Sequence, residues 1–142
     1  MLAQVSEFAA NHPFLVIAFA VLLALTFFNE FKIATQRCAS LTPAAAVQMM
    51  NQADVVVLDV REPAETVGGK IAKAIQIPVS AMAKRVGELE KHKDKTLLVY
   101  CKTGARAGMA CKELSKQGFD KVYSLNGGIT AWQEAHLPIS KK

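Results

Sequence analysis

Between Phe8 and Asn29 the chain carries no charged side chain for 22 consecutive residues. Hydrophobic residues make up 51% of the 142-residue sequence, and the excess over an ordinary soluble domain sits in this run. Its centre, Phe14 to Phe28, reads FLVIAFAVLLALTFF, with eleven of fifteen residues Phe, Leu, Ile or Val. At roughly −0.3 to −0.6 kcal/mol each, these favour membrane insertion by an amount on the order of −3 to −7 kcal/mol. With Ala9, Ala10 and Pro13 the run reaches the ~20 residues that a spanning helix needs. Pro13 falls near the start, where a missing N–H costs little. One anchoring segment and one small domain are what this arithmetic leaves; disorder, coiled coil, collagen and a polytopic transporter are excluded.

A cleaved signal peptide is the competing reading. It requires a positive leading region, whereas the only charge before the run is Glu7. No small-x-small site follows Phe28, and Arg37 precedes Cys38 where a lipoprotein needs a small residue. The expectation is an uncleaved anchor over residues 1–30, a juxtamembrane linker over 31–37 and a domain over 38–142, with residues 8–29 in the bilayer. Lys32 and Arg37 flank only the C-terminal end of the run. Positive residues stay inside, so the N-terminus is expected outside and the domain in the cytoplasm. Ala20 and Ala24 form a small-xxx-small pair, a weak helix-dimerisation signal.

Three cysteines, Cys38, Cys101 and Cys111, are too few and too odd for a disulfide framework. Unpaired thiols suit a cytoplasmic domain. No CxxC occurs and the three histidines are scattered, so no metal and no other cofactor is expected. The net charge of +5 does not cluster with aromatics and reads as a solvated surface beside an anionic membrane, not as a nucleic-acid site.

The domain alternates strand and helix signals. Thr42-Pro43 opens a helix to about Asn51. Val55 to Val60 is an apolar run of strand length, and Ala74 to Ile77 is a second, short strand. Ser80 is expected to cap a helix bearing Met82, Val86 and Leu89 at i, i+4, i+7. Thr96 to Tyr100 is a third strand. Ala107, Ala110, Cys111 and Leu114 make an apolar stripe on a helix that Gly118 stops. Lys121 to Leu125 is a fourth strand, and Gly127-Gly128 turns into a last helix around the core residue Trp132. Such alternation predicts an α/β three-layer fold with a mostly parallel central sheet and helices on both faces, preceded by the transmembrane helix.

In sheets of this kind ligands bind beyond the carboxyl ends of the strands. There the chain reads Cys101-Lys102-Thr103-Gly104-Ala105-Arg106, with helix from about Ala107. A short glycine-containing loop between strand and helix can turn successive N–H groups inward, with the helix N-terminus behind them. Lys102 and Arg106 add positive charge, and the setting stabilises a thiolate, or an anion such as a persulfide carried on the sulfur. No Walker or dinucleotide pattern occurs.

The domain resembles the single-domain rhodaneses, a sulfurtransferase family. Four pieces carry the resemblance, in order across nearly all of 38–142: Leu58-Asp59-Val60-Arg61, the stretch GKIAKAIQIP from Gly69 to Pro78, the loop CKTGAR, and LNGGITAW from Leu125 to Trp132. The N-terminal anchor is similar to that of membrane-anchored bacterial members, which implies the inner membrane. The resemblance implies a Cys101 persulfide that takes sulfane sulfur from a small donor such as thiosulfate and gives it to cyanide or a thiol. It leaves room for a membrane or sulfur-carrier protein partner, or for a scaffold in which turnover is incidental. It departs from the family at Lys70 and Lys73, where a His and a Gly are usual. Four residues separate Cys101 from Arg106. The related phosphatases and arsenate reductases have five, which fits a tetrahedral oxyanion.

Each residue also has a plainer reading. Lys102 is either a donor contact or merely solvated, and Arg106 either binds an anion or orders the loop, or else lies on the helix surface. Thr103 and Ala105 belong with Lys102, Gly104 and Arg106 to the loop expected to bind substrate or persulfide, and Gly104 serves its backbone conformation. Asp59 and Arg61 either brace the active loop or form an ordinary strand-end pair. Cys111 is expected in the core rather than as a resolving thiol, and Cys38 to be inert rather than a partner-facing thiol.

Overall fold

The computed structural model describes residues 1–35, 38–52 and 54–141, with the side chains of these except 2, 3 and 32–35. It divides into two compact units, Met1–Arg37 and Cys38–Lys142.

The first unit holds two helices, α1 (Leu2–Asn11) and α2 (Pro13–Thr35). They part at His12, whose φ of −130° and ψ of 58° leave the helical region, as expected for a residue before proline. Within α2 the 19 residues Pro13–Phe31 have a mean hydropathy of 2.2 and none is buried. This helix is long and apolar enough to cross a membrane. No Gly or Pro occurs between Pro13 and Pro43, so the helix does not stop at residue 30. It runs to Thr35 and takes in most of the expected linker. Arg37, half of the orientation signal, lies outside the described residues.

In the second unit five parallel strands stand in the order β1-β5-β4-β2-β3: β1 (Ala39–Leu41), β2 (Val55–Asp59), β3 (Ile75–Gln76), β4 (Thr96–Tyr100) and β5 (Val122–Leu125). β4 lies at the centre, and its alternating side chains face opposite ways. Leu97 and Val99 pack with Leu58, Met82, Leu89, Ala110, Cys111 and Leu114, beneath α4 (Met82–Arg85) and α5 (Ala105–Lys116). Leu98 and Tyr100 pack with Ala46, Ile129 and Trp132, against α3 (Pro43–Gln52) and α6 (Gly128–Glu134). Helices therefore cover both faces, the three-layer α/β arrangement expected from the sequence.

Two local expectations change. Residues 79–92 form two 3₁₀ turns flanking the four-residue α4, not one helix capped by Ser80. Gly87 weakens a continuous α-helix there. Val86 and Leu89, three apart, point into the core from the tighter 3₁₀ spiral. Ser80 Oγ instead donates to Glu62 Oε1 at 2.9 Å. The cysteines are not all free either: Cys38 and Cys111, 73 residues apart, form a disulfide with Cα atoms 5.8 Å apart. The β1 pairing that brings Cys38 to α5 is a three-residue contact without a periodic signal. Among the described residues Cys101 alone is a free cysteine.

Candidate active site

β4 ends at Tyr100, and Cys101 continues its alternation onto the α5 side, where it is 1% exposed. The following loop carries it directly to the N-terminus of α5. Gly104 N–H donates to Cys101 Sγ at 2.9 Å, so one loop amide already points at the sulfur. Gly104 has φ +110°, with no atom nearer than 3.6 Å to where a Cβ would lie. Glycine is needed there for its conformation and not for space. The first amides of the twelve-residue α5 lack partners within the helix, which leaves partial positive charge beside the thiol. Lys102, Thr103 and Ala105 are exposed around it.

The entry to α6 fixes the other side of the loop. Ile129 N–H donates to Cys101 O at 2.9 Å, and Thr130 N–H and Oγ1 donate to Lys102 O at 3.2 and 3.0 Å. Gly128, at φ +60°, lies so close that a Cβ would overlap the carbonyls of Cys101 and Lys102. The Gly-Gly pair was legible in the sequence as a turn, but its close approach to the backbone of Cys101 and Lys102 was not.

Arg106 orders the loop rather than presenting a free charge. Its Nη1 and Nη2 donate to Glu65 Oε2 and Oε1 at 2.6 and 2.7 Å. The Arg106 guanidinium and the Glu62 backbone N–H hold the Glu65 carboxyl down to about 2. The same pairing raises Arg106. Sequence reasoning missed Glu65. Its signal was the spacing Glu62-Pro63-Ala64-Glu65, which makes a capping box with Pro at the first position.

Asp59 and Arg61 do not reach Cys101; they build the segment that carries Glu65. Both are buried, with Arg61 Nη2 donating to Asp59 Oδ2 at 2.7 Å. Arg61 also donates to the carbonyls of Glu65 at 3.1 Å and Gly69 at 2.8 Å. Tyr100 Oη donates to Asp59 Oδ2 at 2.8 Å and accepts from Ile71 N–H at 3.0 Å. Burial and the Asp59 charge push the Tyr100 hydroxyl well above its usual range. Beside this network lies a cavity of about 250 Å³ lined by Arg61, Glu65, Gly69, Lys102, Thr130 and Gln133. Lys102 is its one lining cation without a carboxylate partner among the described residues.

Lys70 Nζ donates to Ala74 O at 3.2 Å, and its backbone pairs with Ser140. Lys73 adopts φ +61°, a left-handed conformation rare outside glycine. The described residues contain no cluster of three or more His, Cys, Asp or Glu fit to hold a metal.

A cysteine at the end of a central parallel strand, in a glycine-bearing loop that opens a helix, defines the site class. A family model described as "Rhodanese-like domain" matches residues 42–135, and the chain belongs to that family. An Escherichia coli protein described as uncharacterized protein YibN is 34% identical over 137 residues, 96% of either chain. A sulfurtransferase of Allochromatium vinosum is 42% identical over 86 residues, 61% of this chain and 78% of that one. The crystal structure of a rhodanese-related protein from Thermoplasma volcanium superposes with a TM-score of 0.67 at 34% identity, covering 73% of this chain and 99% of that one.

Proposed function

We propose that this protein is a sulfurtransferase that carries sulfane sulfur on Cys101. The observation that carries this reading is the Cys101 sulfur held at the N-terminus of α5 with the Gly104 amide already upon it. The Cys101 thiolate attacks the outer sulfur of a donor such as thiosulfate. A new S–S bond forms, the donor S–S bond breaks, and its electron pair leaves with sulfite. The persulfide anion sits among the loop amides and the first turn of α5, where negative charge is favoured. Cyanide or a thiol then attacks the outer sulfur and returns the thiolate. Lys102, beside the cavity, steers an anionic donor. The four-residue spacing from Cys101 to Arg106 favours sulfur over phosphate. Full-length protein in detergent micelles should gain one sulfur atom from thiosulfate by intact mass, lose it to cyanide, and leave aryl phosphates uncleaved. Aryl phosphate cleavage through Cys101 without sulfur gain would reverse the assignment.

The apolar α2 supports a single-pass anchor in the bacterial inner membrane, and Lys32 with Arg37 supports a cytoplasmic domain. The Cys38–Cys111 disulfide favours the opposite side, because disulfides persist in oxidising compartments. Protease added to intact spheroplasts separates the two: a cytoplasmic domain stays whole, and an external one is digested.

A further inference from the structure

We propose that Cys38 and Cys111 are a reversible redox-modification site, a latch that holds β1 to α5 when closed and frees β1 when open. Cys111 is fully buried on the inner face of α5, five residues beyond Arg106. Cys38 is half-buried against the same cluster and immediately precedes β1. Among the described residues little else holds β1. It is three residues long, lies at the sheet edge, and pairs with β5 alone, with Ala39 and Ser40 exposed. Beyond that ladder, Asn126 N–H donates to Leu41 O at 2.8 Å, and only the Leu41 side chain joins the core. An edge strand this short is marginal without a covalent tie.

The redox step is thiol–disulfide exchange with a low-molecular-weight disulfide such as glutathione disulfide. The more accessible Cys38 thiolate attacks one glutathione sulfur, forming a mixed disulfide and releasing one glutathione. Cys111 then displaces the second glutathione. Two protein thiols lose two electrons, the glutathione disulfide gains them, and the thiol protons leave with the two glutathiones.

The test uses full-length Cys101→Ser protein in phospholipid nanodiscs, so that only the pair titrates, equilibrated in glutathione buffers from reducing to oxidising. Maleimide labelling read by intact mass should fall from two thiols to none in one step. Hydrogen exchange at the amides of residues 39–41 should be at least tenfold faster in the reduced state. Adding Cys38→Ser should abolish the loss of two thiols in one step, leaving Cys111 with at most a single glutathione adduct, and should give fast exchange throughout. Two thiols persisting in the most oxidising buffer, or equal exchange rates in both states, would overturn the latch. Sulfur loading of the protein with Cys101 intact is read separately, so its failure would count against the sulfurtransferase reading and not against the latch.

Discussion

Arg106 and Glu65, 41 residues apart in sequence, meet through two parallel hydrogen bonds of 2.6 and 2.7 Å. The contact joins the first turn of α5 to the turn over residues 63–68. Through the Arg61 bond to the Glu65 carbonyl, it also ties the Cys101 loop to the buried Asp59–Arg61 pair. Arg106 is thus held by a partner of opposite charge.

The pairing predicts a pH signature for stability. Glu65 has its folded-state pKa lowered from 4.5 to about 2. Its contribution is therefore fully present above about 4.5 and is lost as pH falls toward 2. Wild type and Glu65→Gln should differ in denaturation midpoint at neutral pH, and the difference should close over that interval. Both side chains are 31% exposed, so a double-mutant cycle with Arg106→Ala should give a coupling of only about 1 kcal/mol. Arg106→Ala should still form the persulfide, several-fold more slowly. A midpoint difference independent of pH would remove the Glu65 carboxylate from the account.

Asp59 should matter for folding far more than for chemistry. Asp59→Ala leaves the Arg61 guanidinium buried and the Tyr100 hydroxyl without its acceptor. Breaking a buried pair from one side costs roughly 3–5 kcal/mol. Urea unfolding should show a loss of that size, while the folded fraction still loads sulfur on Cys101. A stable variant that cannot load would instead place Asp59 at the substrate.

The sequence was most legible where one residue determines its own setting. The apolar run of β4, Cys101 at its end, the Thr42-Pro43 helix start and the stripe on α5 could all be read from local pattern. Thr42 Oγ1 indeed accepts from Ala45 N–H at 3.3 Å. What pattern could not supply were contacts between distant segments of no shared period. Glu65 finds Arg106, Gly128 approaches the Cys101 carbonyl, and Cys38 meets Cys111 only once the sheet is assembled. The 3₁₀ turns around α4 escaped for a different reason: Met82 to Val86 spans α4 at helical spacing and Val86 to Leu89 is the i+3 step of a 3₁₀ turn, so the same burial arises without one continuous helix.

Gly104 and Gly128 should respond differently to alanine. At Gly104 a methyl group has room, but φ +110° does not suit it. Gly104→Ala should fold with a loss of roughly 1–3 kcal/mol and load sulfur slowly as the loop relaxes. At Gly128 the methyl would collide with the backbone of Cys101 and Lys102, which cannot move without opening the loop. Gly128→Ala should abolish loading even in protein that melts cooperatively. Comparable loading rates in the two variants would show that the α6 entry does not fix the loop.

Cys101 and Cys111 sit on one strand–loop–helix unit and should separate in both chemistry and stability. Cys101 faces the Gly104 amide and the start of α5, whereas Cys111 is paired with Cys38 inside the apolar layer. Cys101→Ser should end sulfur gain from thiosulfate and leave the unfolding transition nearly unchanged. Cys111→Ser should keep the sulfur gain and lose the disulfide. Closing a 73-residue separation constrains the unfolded chain by about 4 kcal/mol in the entropic model, so oxidised wild type should exceed oxidised Cys111→Ser by a loss of that order. Under strong reductant the two should converge, apart from a small repacking cost at a buried site. Intact mass after thiosulfate, and urea midpoints with and without reductant, decide both points. Sulfur gained by Cys101→Ser but not by Cys111→Ser would make Cys111 the nucleophile and the Cys101 loop a structural turn.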